Sequence, residues 1–289
     1  MLPSPAPARI RLRSLPPMAG LSWIRRGFHM FWRRPLGFVG LWLFFTLSLF
    51  MIAFLAVAVS PLAMLAVAAW LPLLMVGFMQ ATSDVLHDQK LRPAVFRTPF
   101  STTPQAARGM LAIMLIYVAA VALLAVCADA MDGGETRRWL HAAMTPPTDG
   151  KPPVIPPMSA SSESAIRFVM LGMTLVSIPL WYVPALVQWG GQGIAQAMFS
   201  SVVAIWRTKG AFATFVFGWF VVGLAFDLLV QVLAAAFGIE AVSLAALTGQ
   251  MVLSITYFLS LWFGFVDTFE ITSTAAFRTV MADTDAPAP

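Results

Sequence analysis

One carboxylate stands apart in this 289-residue chain: Asp227 is the only ionisable side chain well inside any of its long apolar runs. A carboxylate at that depth of a bilayer costs about 2.5–3.5 kcal/mol, so a residue kept there has a use. If the last two runs form an antiparallel hairpin, Asp227 falls at about the depth of Gln250, with Gln231 one turn further along its own helix. The three would form a buried, hydrogen-bonded polar cluster. Two chemistries suit it: handling a proton or a polar substrate, or joining two helices by a hydrogen bond. No membrane-embedded Lys or Arg supplies a counter-charge, and no second carboxylate completes a relay.

Little else in the chain resembles catalytic apparatus. His29, His87 and His141 sit in separate segments, none with a partner at metal-ligand spacing. The single cysteine, Cys127, lies in an apolar run and can form neither an intrachain disulfide nor a thiolate cluster. No phosphate-binding glycine loop, HExxH helix or GxSxG elbow is present. Gly190-Gly191-Gln192-Gly193 follows an apolar helix rather than a strand, and is read as a helix breaker. The expectation is a protein that is not an enzyme, with no cofactor and no metal. The net charge of +5 does not point to nucleic acid, because the basic residues lie beside apolar runs rather than on a separate polar face.

The elements that must position these residues follow from composition. Hydrophobic residues make up 59% of the chain and charged residues only 11%. A soluble domain typically carries about a quarter charged residues, so much of this surface must face lipid. Apolar runs at 36–59, 61–79, 110–128, 168–187, 211–238 and 241–266 are long enough to cross the hydrocarbon, and lipid forces each to be helical. The expected fold class is all-α: a polytopic membrane bundle of six transmembrane helices with cytoplasmic amphipathic surface helices. Fourteen of the Lys and Arg side chains fall on the side of the N-terminus and four on the other. That asymmetry puts both termini in the cytoplasm of a bacterial inner membrane. Residues 1–19 read as a disordered basic tail, 20–266 as the membrane domain, 129–163 as a Pro- and Ser-rich periplasmic loop, and 267–289 as a second cytoplasmic tail.

Two segments outside the spans have an apolar side. Between Gly20 and Arg34, helical spacing groups Leu21, Ile24, Phe28, Phe31 and Trp32, opposite Ser22, Arg25, Arg26, His29 and Arg33. Between Ile194 and Lys209 it groups Ile194, Met198, Val202 and Ile205, opposite Gln196, Ser200 and Arg207. Both read as helices lying on the membrane surface, with Arg25, Arg26, Arg33, Arg34 and Arg207 at the level of anionic lipid headgroups. Trp206-Arg207 before Phe212 echoes Trp32-Arg33 before Phe38, which suggests a repeated unit of surface helix plus hairpin; the middle unit, 84–108, is broken by Pro93, Pro99 and Pro104. Pro179 and Pro184 are expected to kink the fourth span. Trp23, Trp32, Trp181, Trp189 and Trp206 fall near span ends, as an interfacial aromatic belt requires.

Trp23-Ile24-x-x-Gly27-Phe28-x-x-Phe31-x-x-x-Pro35 resembles the N-terminal signature of an uncharacterised family of multi-pass inner-membrane proteins from betaproteobacteria. Trp181-Tyr182-Val183-Pro184-Ala185-Leu186-Val187-x-Trp189, then Met198-Phe199-Ser200 and Arg207-x-x-Gly210-Ala211-Phe212, is similar to that family's fourth span and its continuation. The resemblance implies a six-helix topology and no particular activity. The expected role is a non-enzymatic protein that organises, assembles or senses at the cytoplasmic face, in contact with an anionic bilayer. The alternative is a transporter or channel for a small or lipidic substrate, using Asp227. A protein partner or self-association is left open.

Overall fold

The computed structural model describes residues 9–59, 67, 69–144 and 157–272. A short strand β1 (Arg9–Leu12) leads to helices α1 (Ala19–Arg33), α2 (Pro35–Val59) and α3 (Leu71–Leu86). A turn of 3-10 helix at Pro93–Arg97 and α4 (Thr98–Ser101) precede the long α5 (Pro104–Asp132). Then come α6 (Glu135–Met144), α7 (Ala160–Leu180), α8 (Val183–Gln188), α9 (Ile194–Arg207), α10 (Lys209–Phe237), α11 (Ile239–Thr268) and strand β2 (Phe269–Thr272). Helix ends follow local chemistry. The Thr103 hydroxyl accepts from the Ala106 N–H at 3.1 Å ahead of Pro104, which has no N–H to lose at a helix start. Gly133 (φ +60°) and Gly238 (φ +83°) end α5 and α10 in backbone conformations that side-chained residues avoid.

Among the described residues, five helical runs are long and apolar enough to cross a membrane: 35–54, 104–132, 160–188, 209–237 and 239–268. The fold is therefore that of a polytopic helical membrane protein. The expected second span, 61–79, lies partly outside the described residues; its described portion continues into α3, a 16-residue apolar helix. Eleven of the sixteen residues of α3 are buried, and it packs against α11, α8, α5 and the 3-10 turn. Such all-round burial fits a helix at the centre of a bundle.

The tail expected to be disordered, 1–19, is partly ordered, and so is the start of the tail expected at 267–289. β1 and β2 pair antiparallel, with Ile10 opposite Ile271 and Leu12 opposite Phe269, and Ile271 and Phe269 are buried. The alternating apolar residues of two short segments more than 250 residues apart find each other only once the bundle brings them together, which no local periodicity reveals. The pairing also sets the two ends of the described chain side by side. The expected loop 129–163 is likewise more structured than its composition suggested: α5 runs to Asp132, α6 follows, and α7 begins at Ala160. Its proline-rich stretch at 145–156 lies outside the described residues.

The core is concentrated at the strand end of the molecule. Phe45, Phe78 and Phe96 form one aromatic group with Trp42 and Phe258 against them, and Tyr182, Phe265 and Phe269 with Trp189 and Trp262 form another. Towards the far end, the outer faces of α2, α5, α7 and the α10–α11 hairpin are exposed and apolar: Phe50, Phe54, Leu123, Val126, Leu171, Val232 and Leu244 among others. This is the surface expected of helices solvated by lipid.

Candidate functional site: an aromatic and basic collar

The two helices expected to lie on the surface are built differently from the expectation, and for one physical reason. α1 lies along the groove between α10 and α11 and buries Gly20, Trp23, Ile24, Gly27, Met30 and Phe31. A Cβ on Gly20 would collide with the carbonyl oxygen of Ala211, and one on Gly27 would stand 2.9 Å from Ser260 Cβ. Two glycines seven residues apart thus bring the α1 backbone against both neighbours, and the helix turns to present them. Trp32, expected on the apolar face, points outward instead, while Leu21 stays partly exposed against Gly218 of α10. α9 follows the same rule. Its inner stripe is small, namely Ala197, Ser201 and Ala204, while Phe199, Val202 and Trp206 face out.

The result is that α1 and α9 each present a large aromatic side chain beside cations. Trp32 is 69% exposed and Trp206 is 74% exposed; Arg25, Arg33 and Arg207 are exposed near them. Lys209 Nζ lies 5.3 Å from the centroid of the Trp206 ring, a cation–π pair that holds the ammonium over the indole. An aromatic that seeks the boundary between hydrocarbon and water, with a guanidinium one residue on, suits a headgroup layer.

The remaining predicted arginines do other work. Arg26 donates to both carboxylate oxygens of Asp267 at the end of α11, and its guanidinium stacks 4.7 Å over Phe263. Trp23 Nε1 donates to the same carboxylate at 2.8 Å. This group ties α1 to α11 and was missed in the sequence, since Asp267 sits in what reads as a tail. Arg34 donates to the Gln89 carbonyl at 2.7 Å and lies 3.6 Å from Asp88, joining the start of α2 to the segment after α3. Of the five tryptophans expected in the belt, Trp23 is buried, Trp181 packs edge-on against Phe212, and Trp189 packs against Trp262. Only Trp32 and Trp206 of that set face outward.

The fourth span breaks between Pro179 and Pro184. α7 ends at Leu180, Trp181 and Tyr182 leave the helix, and α8 begins at Val183. The Tyr182 N–H, left without a helical acceptor, donates to Ser201 Oγ of α9 at 3.1 Å in the buried interior. Every residue of α8 is buried. The break therefore turns α8 into the core and anchors α9 at its inner stripe.

Asp227, Gln231 and Gln250 are not brought together as a buried cluster. All three are exposed on the α10–α11 hairpin, and no hydrogen bond joins them.

Compared with known proteins, the chain is similar to a probable inner membrane protein of Burkholderia thailandensis, 27% identical over 228 residues, which is 78% of this chain and 81% of that one. No protein-family model matches, and no solved structure matches. With the long apolar helices described above, this likeness makes the chain an integral, multi-pass membrane protein.

Proposed function

We propose that the chain is a non-enzymatic inner-membrane protein that crosses the bilayer six times and keeps both ends in the cytoplasm. Its collar of Trp32, Arg33, Trp206 and Arg207 rests on the anionic headgroups of the cytoplasmic leaflet, where it organises, assembles or senses what gathers there. The observation that carries this reading is that α1 and α9 each end on an outward tryptophan followed by an exposed arginine, Trp32-Arg33 and Trp206-Arg207. A solvated soluble surface has no use for two outward tryptophans with adjacent arginines; a headgroup layer does. Six crossings are supported by parity. The β1–β2 pairing needs an even number of crossings between residues 12 and 269, and the five long apolar runs supply an odd one. The bond from Arg34 to Gln89 asks that the chain leave through α2 and return through the segment ending in α3. The relative's name, a probable inner membrane protein, supports the compartment.

The test replaces Arg25, Arg33 and Arg207 with Gln and leaves Arg26 and Arg34, which hold the fold, in place. Each surface arginine contributes about 1 kcal/mol to association with anionic lipid. In nanodiscs of mixed zwitterionic and anionic lipid, the triple variant should lose most of the parent's enrichment of anionic lipid around the protein. Enrichment equal to the parent, in protein with an unchanged melting temperature, would remove the collar as a lipid contact.

A further inference from the structure

The α10–α11 hairpin carries one face that lipid does not suit. A Cβ on Gly249 of α11 would stand 2.5 Å from the Phe226 ring of α10, so residues 226 and 249 point at each other across the hairpin. Each helix advances about 100° per residue, and the two run in opposite senses. The next residues, Asp227 and Gln250, therefore swing to the same side of the hairpin, about 3 Å apart in depth. One turn to either side on α10 stand Gly223 and Gln231, and one turn back on α11 stands Ala246. A Cβ on Gly223 would meet nothing within 4 Å. Gly218, which packs on Ile24 and Leu21 of α1, is nine residues before Asp227, two and a half turns of helix. Asp227 thus points directly away from the body of this copy.

Asp227 lies about 27 Å along α10 from Lys209 and about 15 Å from Phe237, at 1.5 Å rise per residue. That position is inside the hydrocarbon, where exposed carboxylate and amide groups find no hydrogen-bonding solvent. We propose that this face is where a second copy of the chain docks, Asp227 of each copy against Gln250 of the other. The two copies insert with the same charge asymmetry, so their two-fold axis runs along the membrane normal and residues of similar depth meet, the roughly 3 Å between Asp227 and Gln250 being within side-chain reach. A carboxylate accepts and a carboxamide donates, so the pairing is self-complementary and made twice. Gly223 and Ala246 on the same face let the helices approach closely enough for those side chains to reach.

Single cysteines at Gly223→Cys and Ala246→Cys, in a full-length Cys127→Ala background and in native membranes, test the face under mild oxidation. Leu171→Cys on the outer face of α7 is the control. The proposal expects both hairpin cysteines to give a product of twice the chain's mass, at least tenfold above the control. Yields no higher than the control, or a product of another mass from a different protein, overturn it. In parallel, Asp227→Leu should lower self-association about tenfold by energy transfer between labelled copies in nanodiscs, while Asp227→Asn keeps most of it. Asp227 is exposed and has no hydrogen bond or ion pair to another described residue of its own copy, so the detergent melting temperature of Asp227→Leu should equal the parent's. Unchanged self-association, or a lowered melt, would assign the residue to something other than this contact.

Discussion

Replacing Asp267 with Ala removes the acceptor that serves both Arg26 and Trp23 Nε1. A half-buried guanidinium left without its carboxylate costs about 1–3 kcal/mol. We expect Asp267→Ala to lower the detergent melting temperature, and Arg26→Met combined with it to add less than the sum of the two separate losses. Gly27→Leu should be as harmful by another route. Its side chain would enter space held by Ser260 and the Thr256 carbonyl, and overpacking of this kind costs about 1–3 kcal/mol. The same residues explain why the sequence was partly legible. Arg26 has the local spacing of a headgroup arginine and nothing near it in sequence shows otherwise, because its partner is 241 residues away. Gly20 and Gly27, by contrast, carried a signal: glycines seven apart on an otherwise helical pattern mark a close approach of backbones, and that rather than the large apolar residues sets which face turns inward.

At the scale of elements, a kink in the fourth span was readable, because two prolines five residues apart cannot both sit inside a straight helix, while its full break at Trp181 and Tyr182 was not. What Pro179 and Pro184 did not tell is where the freed N–H goes. Ser201→Ala should leave the Tyr182 N–H buried and unpaired at a cost of about 1–3 kcal/mol, seen as faster amide exchange through α8 and a lower melt. At the far end, the start of α7 is held by Ser159, whose hydroxyl accepts from the Ser162 N–H at 3.2 Å and donates to Glu135; Ser161 donates to the same carboxylate at 2.6 Å. These hydroxyls hold the Glu135 carboxyl below the usual carboxylate range. A depressed folded value means the contribution is present above the ordinary range and is lost as pH falls through the folded value. The melting difference between the parent and Glu135→Gln should therefore be present at neutral pH and vanish in acid.

At the scale of the molecule, the apolar runs and the distribution of Lys and Arg were legible from composition, since lipid imposes both. The clasp between β1 and β2 was not, and neither was the concentration of the aromatic core at one end, because both depend on how helices distant in sequence pack. The proposed topology joins the two kinds of information, parity of the paired ends for an even number of crossings and charge asymmetry for a cytoplasmic side. The direct measurement is labelling of single cysteines by a membrane-impermeant thiol reagent in spheroplasts, in a Cys127→Ala background. The account predicts that Ser161→Cys is labelled in intact spheroplasts, while Gln89→Cys and Glu270→Cys are labelled only after lysis. Labelling of Glu270→Cys from outside, or of Gln89→Cys and Glu270→Cys from opposite sides, would contradict it.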